Sequence, residues 1–324
     1  MLRLIRTVSS AAQHHVAPQT RRHVPSKLDL TPPVREPSPT PTAVLSPEGL
    51  RHLCKKGSQA EILYCLNNWF PTFGPLDNSP EVYRPAQCEA ARAGRISVLE
   101  DFLAHGCPLF GGDFDETVPE AATKGAVIRG NTMILDFLLK HGGWDVRGAI
   151  SAMLYGLQSE TVVKWYLAQG CDPNAPTRKA LGLTMTTSAV STAPISAVKL
   201  LISKGGAVCG TDAVAQAVKA HVSNIPGRLE IVECLLDNGA SIDAYAFQYA
   251  PDSSMVAIKG RETGLILAVR GNKIDMVELL LKRGADRSLR VGMSRLTKDE
   301  TVLDIAEEIG YKDIIKLLKY KYLE

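Results

Sequence analysis

The chain has 324 residues, of which 45% are hydrophobic, 22% charged and 6% aromatic, a balance that excludes a disordered polyelectrolyte and fits a folded chain packed mainly by small apolar side chains. The formal net charge of +3 excludes any whole-chain demand for nucleic acid or an anionic membrane surface, so an electrostatic preference has to be local. Seven cysteines, an odd number scattered along the chain with no paired spacing, exclude a disulfide framework and fit a reducing interior.

The first segment, residues 1–27, carries Arg3, Arg6, Arg21, Arg22 and Lys27 with no acid before Asp29, while Leu2, Ile5, Val8 and Ala12 share one helical face. It reads either as a disordered basic tail or as the Arg-rich, acid-free presequence of a mitochondrial protein. His14-His15 and Pro18 interrupt the amphipathic stretch and favour the tail. From Leu30 onward, Pro32, Pro33, Pro37, Pro39, Pro41 and Pro47 oppose helix and sheet and favour extended polyproline conformations, so residues 1–46 are expected to be a disordered tail. Thr31, Ser38, Thr40 and Ser46 each precede a proline, a pattern open to proline-directed phosphorylation but common in such tails. No apolar run reaches the ~18 residues that a membrane-spanning helix needs, so a soluble protein is expected.

After Pro47 the apolar spacing becomes helical and the chain begins to repeat. A phrase recurs with variations: Leu229 to Ala240 reads LEIVECLLDNGA, and Asp275 to Asp286 reads DMVELLLKRGAD. Gly106, Gly142, Gly170, Gly205, Gly239 and Gly284 close successive copies at steps of 36, 28, 35, 34 and 45 residues, and a period in this range marks a stacked repeat. Each unit reads as two short helices. In the last full one, Thr263 caps a helix through Val269, Gly271 or Asn272 takes the left-handed conformation that ends it, and Ile274, Val277, Leu280 and Leu281 form the buried stripe of the next.

These residues resemble the ankyrin repeat family, whose units run Thr-Pro-Leu-His-x-Ala-Ala-x-x-Gly and then an Ile-Val-x-x-Leu-Leu helix ending in Gly-Ala-Asp. The resemblance is strongest over residues 263–287 and at Thr301 to Gly310, and Pro85 to Gly94 keeps the paired alanines. It implies an all-α solenoid of helix-turn-helix units with projecting inter-repeat turns over residues 47–324, in about eight units including caps. Their bounds are expected at 47–70, 84–108, 117–145, 148–174, 180–209, 211–243, 262–287 and 300–321. The family's Pro stands here as Ala86, Gly264 or Val302 and its His as Cys88, Ile266 or Asp304, so the hydrogen bonds those residues make between repeats are lost. The oversized last step places an insertion at Ser241 to Arg261, and a smaller extension at His221 to Pro226 separates the two helices of its unit.

Signals for chemistry are lacking: the chain contains no Gly-x-Ser-x-Gly elbow, no Walker phosphate loop and no His-Glu-x-x-His. The glycines at Phe110-Gly111-Gly112-Asp113 lack a following Lys and read as an inter-repeat turn. His105-Gly106-Cys107 and His52-x-Cys54 lack the paired four-ligand spacing of structural zinc, and Cys54, Cys88, Cys107 and Cys171 read as small buried hydrophobes. No cofactor and no catalytic role are expected.

A surface must therefore carry the function. In the family, first helices line a concave face and inter-repeat turns project as fingers. Aligning the residue pairs before each mid-repeat glycine gives Lys55-Lys56, Arg92-Ala93, Ile128-Arg129, Gly156-Leu157, Ser191-Thr192, Lys219-Ala220, Arg270-Gly271 and Glu308-Ile309. Six of these sixteen positions are basic where about two would be expected from the composition. Lys55, Lys56, Arg92, Arg129, Lys219 and Arg270 thus form a candidate positive stripe for an acidic segment of a partner, unless they merely solvate helix ends. In the insertion, Tyr245, Phe247 and Tyr249 alternate before Pro251 and Met255. They either line one side of a finger or fold back into the repeats.

The resemblance implies a monomeric, intracellular protein-protein interaction scaffold or adaptor in the cytoplasm or nucleus, with no nucleic acid or membrane partner. The alternative is a regulatory or accessory subunit that inhibits or positions an enzyme, with a mitochondrial location if residues 1–27 are a presequence.

Overall fold

A computed structural model describes residues 45–73, 80–112, 114–141, 143–178, 181–250, 261–292 and 298–320. Residues 1–44 of the expected tail with its presequence, the closing Gly142, Pro251 and Met255 of the insertion and Lys321 lie outside the described residues, whereas Ser46, assigned to the tail, caps the first helix.

The described helices run in consecutive pairs, α1 (Pro47–Lys56) with α2 (Gln59–Phe73), α3 (Pro80–Ala93) with α4 (Ile96–Ala104), α5 (Val118–Arg129) with α6 (Met133–Lys140), and α7 (Ile150–Gly156) with α8 (Glu160–Ala168). There follow α9 (Met185–Thr192) with α10 (Ile195–Ser203), α11 (Ala213–Val222) with α12 (Arg228–Asp237), α13 (Gly264–Arg270) with α14 (Ile274–Lys282), and α15 (Val302–Ile309) with α16 (Lys312–Lys319).

Local chemistry fixes where the first helix of a unit starts. Ser46, Thr117, Thr184, Thr263 and Thr301 each accept a hydrogen bond from the backbone N–H three residues on, satisfying a donor that the helix leaves orphaned. The mid-repeat break after α13 is taken by Asn272 at φ 52°, while Gly271 stays right-handed. In α14, Val277, Leu280 and Leu281 are buried as expected, but Ile274 in the first turn is 38% exposed and Met276 is fully buried instead. A side chain in a first turn points back beyond the helix start, where no previous turn covers it.

Consecutive first helices touch more extensively than consecutive second helices, so the stack has a tight layer (α1, α3, α5, α7, α9, α11, α13, α15) and a looser one. The tight layer is built from small side chains. Every residue of α11 is buried apart from Lys219, His221 and Val222, and Gly125 of α5 sits where an added Cβ would lie 2.2 Å from the Arg92 carbonyl oxygen of α3. One hydrophobic cluster runs through the stack from Leu50 to Leu318.

One contact in the tight layer is weak: α7 touches α9 less than any other first helix touches the next. There the inter-repeat turn becomes a β-hairpin, which sequence reasoning did not anticipate. Strand β1 (Pro176–Arg178) pairs antiparallel with β2 (Leu183–Thr184), and Thr177 Oγ1 lies 2.6 Å from Ser188 Oγ. Isolated bridges between Tyr245 and Thr263 and between Arg290 and Thr301 close the bases of two later turns in the same way.

Candidate functional site: a groove in the first-helix layer

The cations of the expected stripe fall into two groups. In the N-terminal units Arg92 is tied into a ladder of ion pairs that crosses three repeats. Arg51 of α1 lies 3.0 Å from Glu89 of α3, Arg92 of α3 lies 2.9 Å from the same carboxylate and also pairs with Glu116, and Lys124 of α5 lies 2.7 Å from Glu116. The Lys124 ammonium then sits 4.2 Å from the centre of the Tyr155 ring on α7. Burial pushes the Glu89 and Glu116 carboxyls up, but hydrogen bonds and charge from the flanking arginines and Lys124 outweigh it and hold both below the ordinary range.

Arginines also satisfy carbonyls that three first helices, α1, α3 and α9, leave open at their C-termini. Arg95 donates to Leu53 O at 2.9 Å and to Cys54 O, Arg129 donates to Arg92 O, and the buried Arg228 donates to Val190 O at 2.8 Å and to Ala193 O. Arg270 pairs with Glu262 at 3.3 Å. Arg92, Arg129 and Arg270 of the expected stripe are thus engaged within the stack, whereas Lys55 and Lys56 are exposed in the last turn of α1.

Where α7 and α9 separate, a groove of about 530 Å³ opens between α7, the hairpin, α9 and α11. Its floor is apolar, with Leu154, Leu183 and Ile225, and its walls carry the hydroxyls of Ser151, Ser191 and Thr192. Arg178 from β1 and Lys219 from α11 also line it, and no Asp or Glu among the described residues does. Arg178 escaped the sequence reading because it lies in a turn rather than in the aligned helix column.

Phe247 of the insertion also lines this groove. Of the two readings of Tyr245, Phe247 and Tyr249, one face of a finger or a fold-back into the repeats, Phe247 follows the second: the chain turns at 246–249 and the three rings do not share one exposed face. Phe247, at φ 65°, is buried against Ala215 and Ala246 and lines the groove, with Lys219 Nζ 5.0 Å from its ring centre. Its backbone N–H donates to the buried Asp212 carboxylate at 2.7 Å, which also accepts from Gln216 at 2.7 Å. Those two hydrogen bonds and the burial of the ring compensate the left-handed backbone. Tyr245 is half-buried with the Arg261 guanidinium 5.9 Å from its ring centre, and Tyr249 is exposed. Gly182 at the hairpin tip, φ 66°, lies so close to the fold-back that a Cβ would meet the Tyr249 carbonyl oxygen at 2.5 Å.

Five of the seven thiols, Cys54, Cys65, Cys88, Cys107 and Cys171, are buried in the stack. Burial pushes Cys54 and Cys88 up to about 12 and Cys65 up to about 11, which keeps them protonated at neutral pH. Among the described residues, no group of three or more His, Cys, Asp or Glu side chains could hold a metal, and no helix is long and apolar enough to cross a membrane.

Paired antiparallel helices, capped by Thr, layered unit on unit and joined by projecting turns, define an ankyrin-repeat solenoid. The family model for the ankyrin repeat matches residues 261–290. The crystal structure of the human ASB11 ankyrin repeat domain is similar to this chain with a TM-score of 0.51 and 19% sequence identity, over 73% of this chain and 99% of that one. No curated protein matches the chain. Residues 261–290 thus form an ankyrin repeat within a chain that has the fold of an ankyrin repeat domain, and ankyrin repeats are generally protein-protein interaction modules.

Proposed function

We propose that residues 47–324 form one non-catalytic interaction scaffold whose protein partner lays an acidic segment in the groove between α7, the hairpin, α9 and α11. The observation that supports this reading is the sign of the groove: Arg178 and Lys219 line it with no described carboxylate, on an apolar floor edged by hydroxyls. A cationic groove with low-dielectric walls raises the local concentration of an anionic segment and speeds its association. Of the N-terminal cations, Arg51, Arg92 and Lys124 are paired with Glu89 and Glu116.

Binding of a fluorescein-labelled oligoglutamate peptide to the full chain tests the reading. Expected is capture at low salt that weakens as salt rises and is lost in the double variant Arg178→Glu, Lys219→Glu, while Lys55→Glu, Lys56→Glu retains most of it. Equal binding by the groove variant and the unmodified chain would remove the groove from the proposal.

A further inference from the structure

We propose that the stack flexes at one junction, between α7 and α9, so that the helices up to α8 and the elements from the hairpin onward move as two blocks and the groove between them changes width. The inference stands on the ties between units and does not depend on what the groove binds.

Side chains bond the units on either side of this junction. Between the third and fourth units, Trp165 Nε1 donates to Asp136 at 2.6 Å, Thr123 Oγ1 lies 3.1 Å from the Tyr166 hydroxyl, and Lys124 sits over the Tyr155 ring. Between the fifth and sixth, Arg228 donates to the Val190 and Ala193 carbonyls. Between the sixth and seventh, His221 Nε2 lies 3.2 Å from the Asp275 carboxylate, and Lys273 Nζ donates to Asn224 at 2.7 Å. The hydroxyls of α9 instead bond the turn that leads into their own unit: Thr186 donates to Pro173 O at 2.8 Å, Thr187 completes the Thr184 cap, and Ser188 lies 2.6 Å from Thr177. Tyr155 of α7 faces back to Lys124, and among the described residues no hydrogen bond or ion pair joins α7 to α9.

The two layers exchange roles at this junction. The first helices make their weakest contact here, whereas α8 touches α10 at least as extensively as any other consecutive second helices touch, and Glu160 of α8 accepts a hydrogen bond from Ser196 of α10. The second-helix layer is therefore the pivot, and rotation about it parts the first helices, as in a hinge between two well-packed bodies. Opening is cheap in apolar surface, because Ser151, Ser191 and Thr192 on the facing walls carry hydroxyls that water satisfies at either width. The hairpin travels with the C-terminal block, since Thr177 and Thr186 fasten it to α9 and Gly182 packs against the fold-back at Tyr249. Ser151 and Leu154 then line the groove from one block, Arg178 and Thr192 from the other.

Pulsed electron-spin distance measurements between nitroxide labels on the full chain test the hinge. Cys209→Ser and Cys234→Ser remove the two thiols that are not buried. Lys56→Cys, Ile128→Cys, Thr192→Cys and Glu308→Cys, introduced two at a time, then place labels at exposed positions of α1, α5, α9 and α15. Expected is a distance distribution for the Ile128–Thr192 pair at least about twice as wide as for Lys56–Ile128 within one block and Thr192–Glu308 within the other. The last pair spans more junctions than the first, so width from ordinary solenoid bending would accumulate there instead. Equal widths for all three pairs overturn the hinge. A Thr192–Glu308 distribution as wide as that of Ile128–Thr192 would mean that the fifth unit loosens by itself, and it overturns the two-block motion as well. Either result leaves the acidic-segment reading to its own peptide titration.

Discussion

Glu89 on α3 and Arg51 on α1 meet across the first two repeats at 3.0 Å, and the carboxylate is 8% exposed while the guanidinium is 58% exposed. A nearly buried acid is thus held by a cation that reaches it from solvent, with Arg92 on its other side. Glu89→Gln should destabilise the chain by about 2 kcal/mol, since it leaves two arginines facing a neutral amide, and a urea unfolding curve measures this. The complementary change Arg51→Gln should cost less than about 1 kcal/mol, because its charge returns to water.

The same ladder makes stability depend on pH. Glu89 and Glu116 have folded pKa values held below the ordinary carboxylate value of 4.5. The unfolded chain therefore binds protons first as pH falls, so the ladder's contribution is present above about pH 4.5 and is lost as pH drops through the folded values. The urea midpoint should fall on acidification below that point, and the double variant Glu89→Gln, Glu116→Gln should show a shallower fall.

Arg228, buried between two units, donates to Val190 O and Ala193 O at the end of α9. Arg228→Met keeps the apolar stem but leaves those carbonyls unpaired, and should lower stability by about 2 kcal/mol. Thermal unfolding measures the loss, which should exceed that of Lys204→Met on the exposed end of α10.

Gly182→Ala should separate the hairpin from the fold-back. The substitution places a Cβ 2.5 Å from Tyr249 O at a backbone φ of 66°, a cost of about 1–2 kcal/mol. Hydrogen exchange at the Phe247 amide, which donates to Asp212, should accelerate while amides of α3 and α5 exchange as before.

Residues 1–27 carry a prediction that rests on sequence alone. The tail reading expects the mature protein in cells to keep its Met1 region. A mapped N-terminus between residues 22 and 30 would instead establish a cleaved mitochondrial presequence.

The repeat was legible because it is written in local chemistry. Thr263 and Thr301 cap helices as their positions demand, Gly106, Gly170, Gly205, Gly239 and Gly284 adopt positive φ after the second helices, and the apolar spacing of Val277, Leu280 and Leu281 fixes a buried face. Each of these depends on residues within one or two turns of one another, so the sequence by itself determined the repeat and its helix pairs.

Tertiary structure decided how the charges are used. Alignment placed Arg92, Arg129, Lys219 and Arg270 in one column, but the partners of that column lie in other units: Glu116 with Arg92, the Arg92 carbonyl with Arg129, the Phe247 ring with Lys219. The direction of the insertion was equally hidden, since it is set by Asp212, 35 residues from the Phe247 N–H that it accepts. The loose contact between α7 and α9 then opens a groove that Arg178 and Lys219 line together from different units. A repeat fixes its own helices through neighbours along the chain, whereas the sign of its surface depends on which charges the stacking brings within a few ångströms and which it leaves facing water.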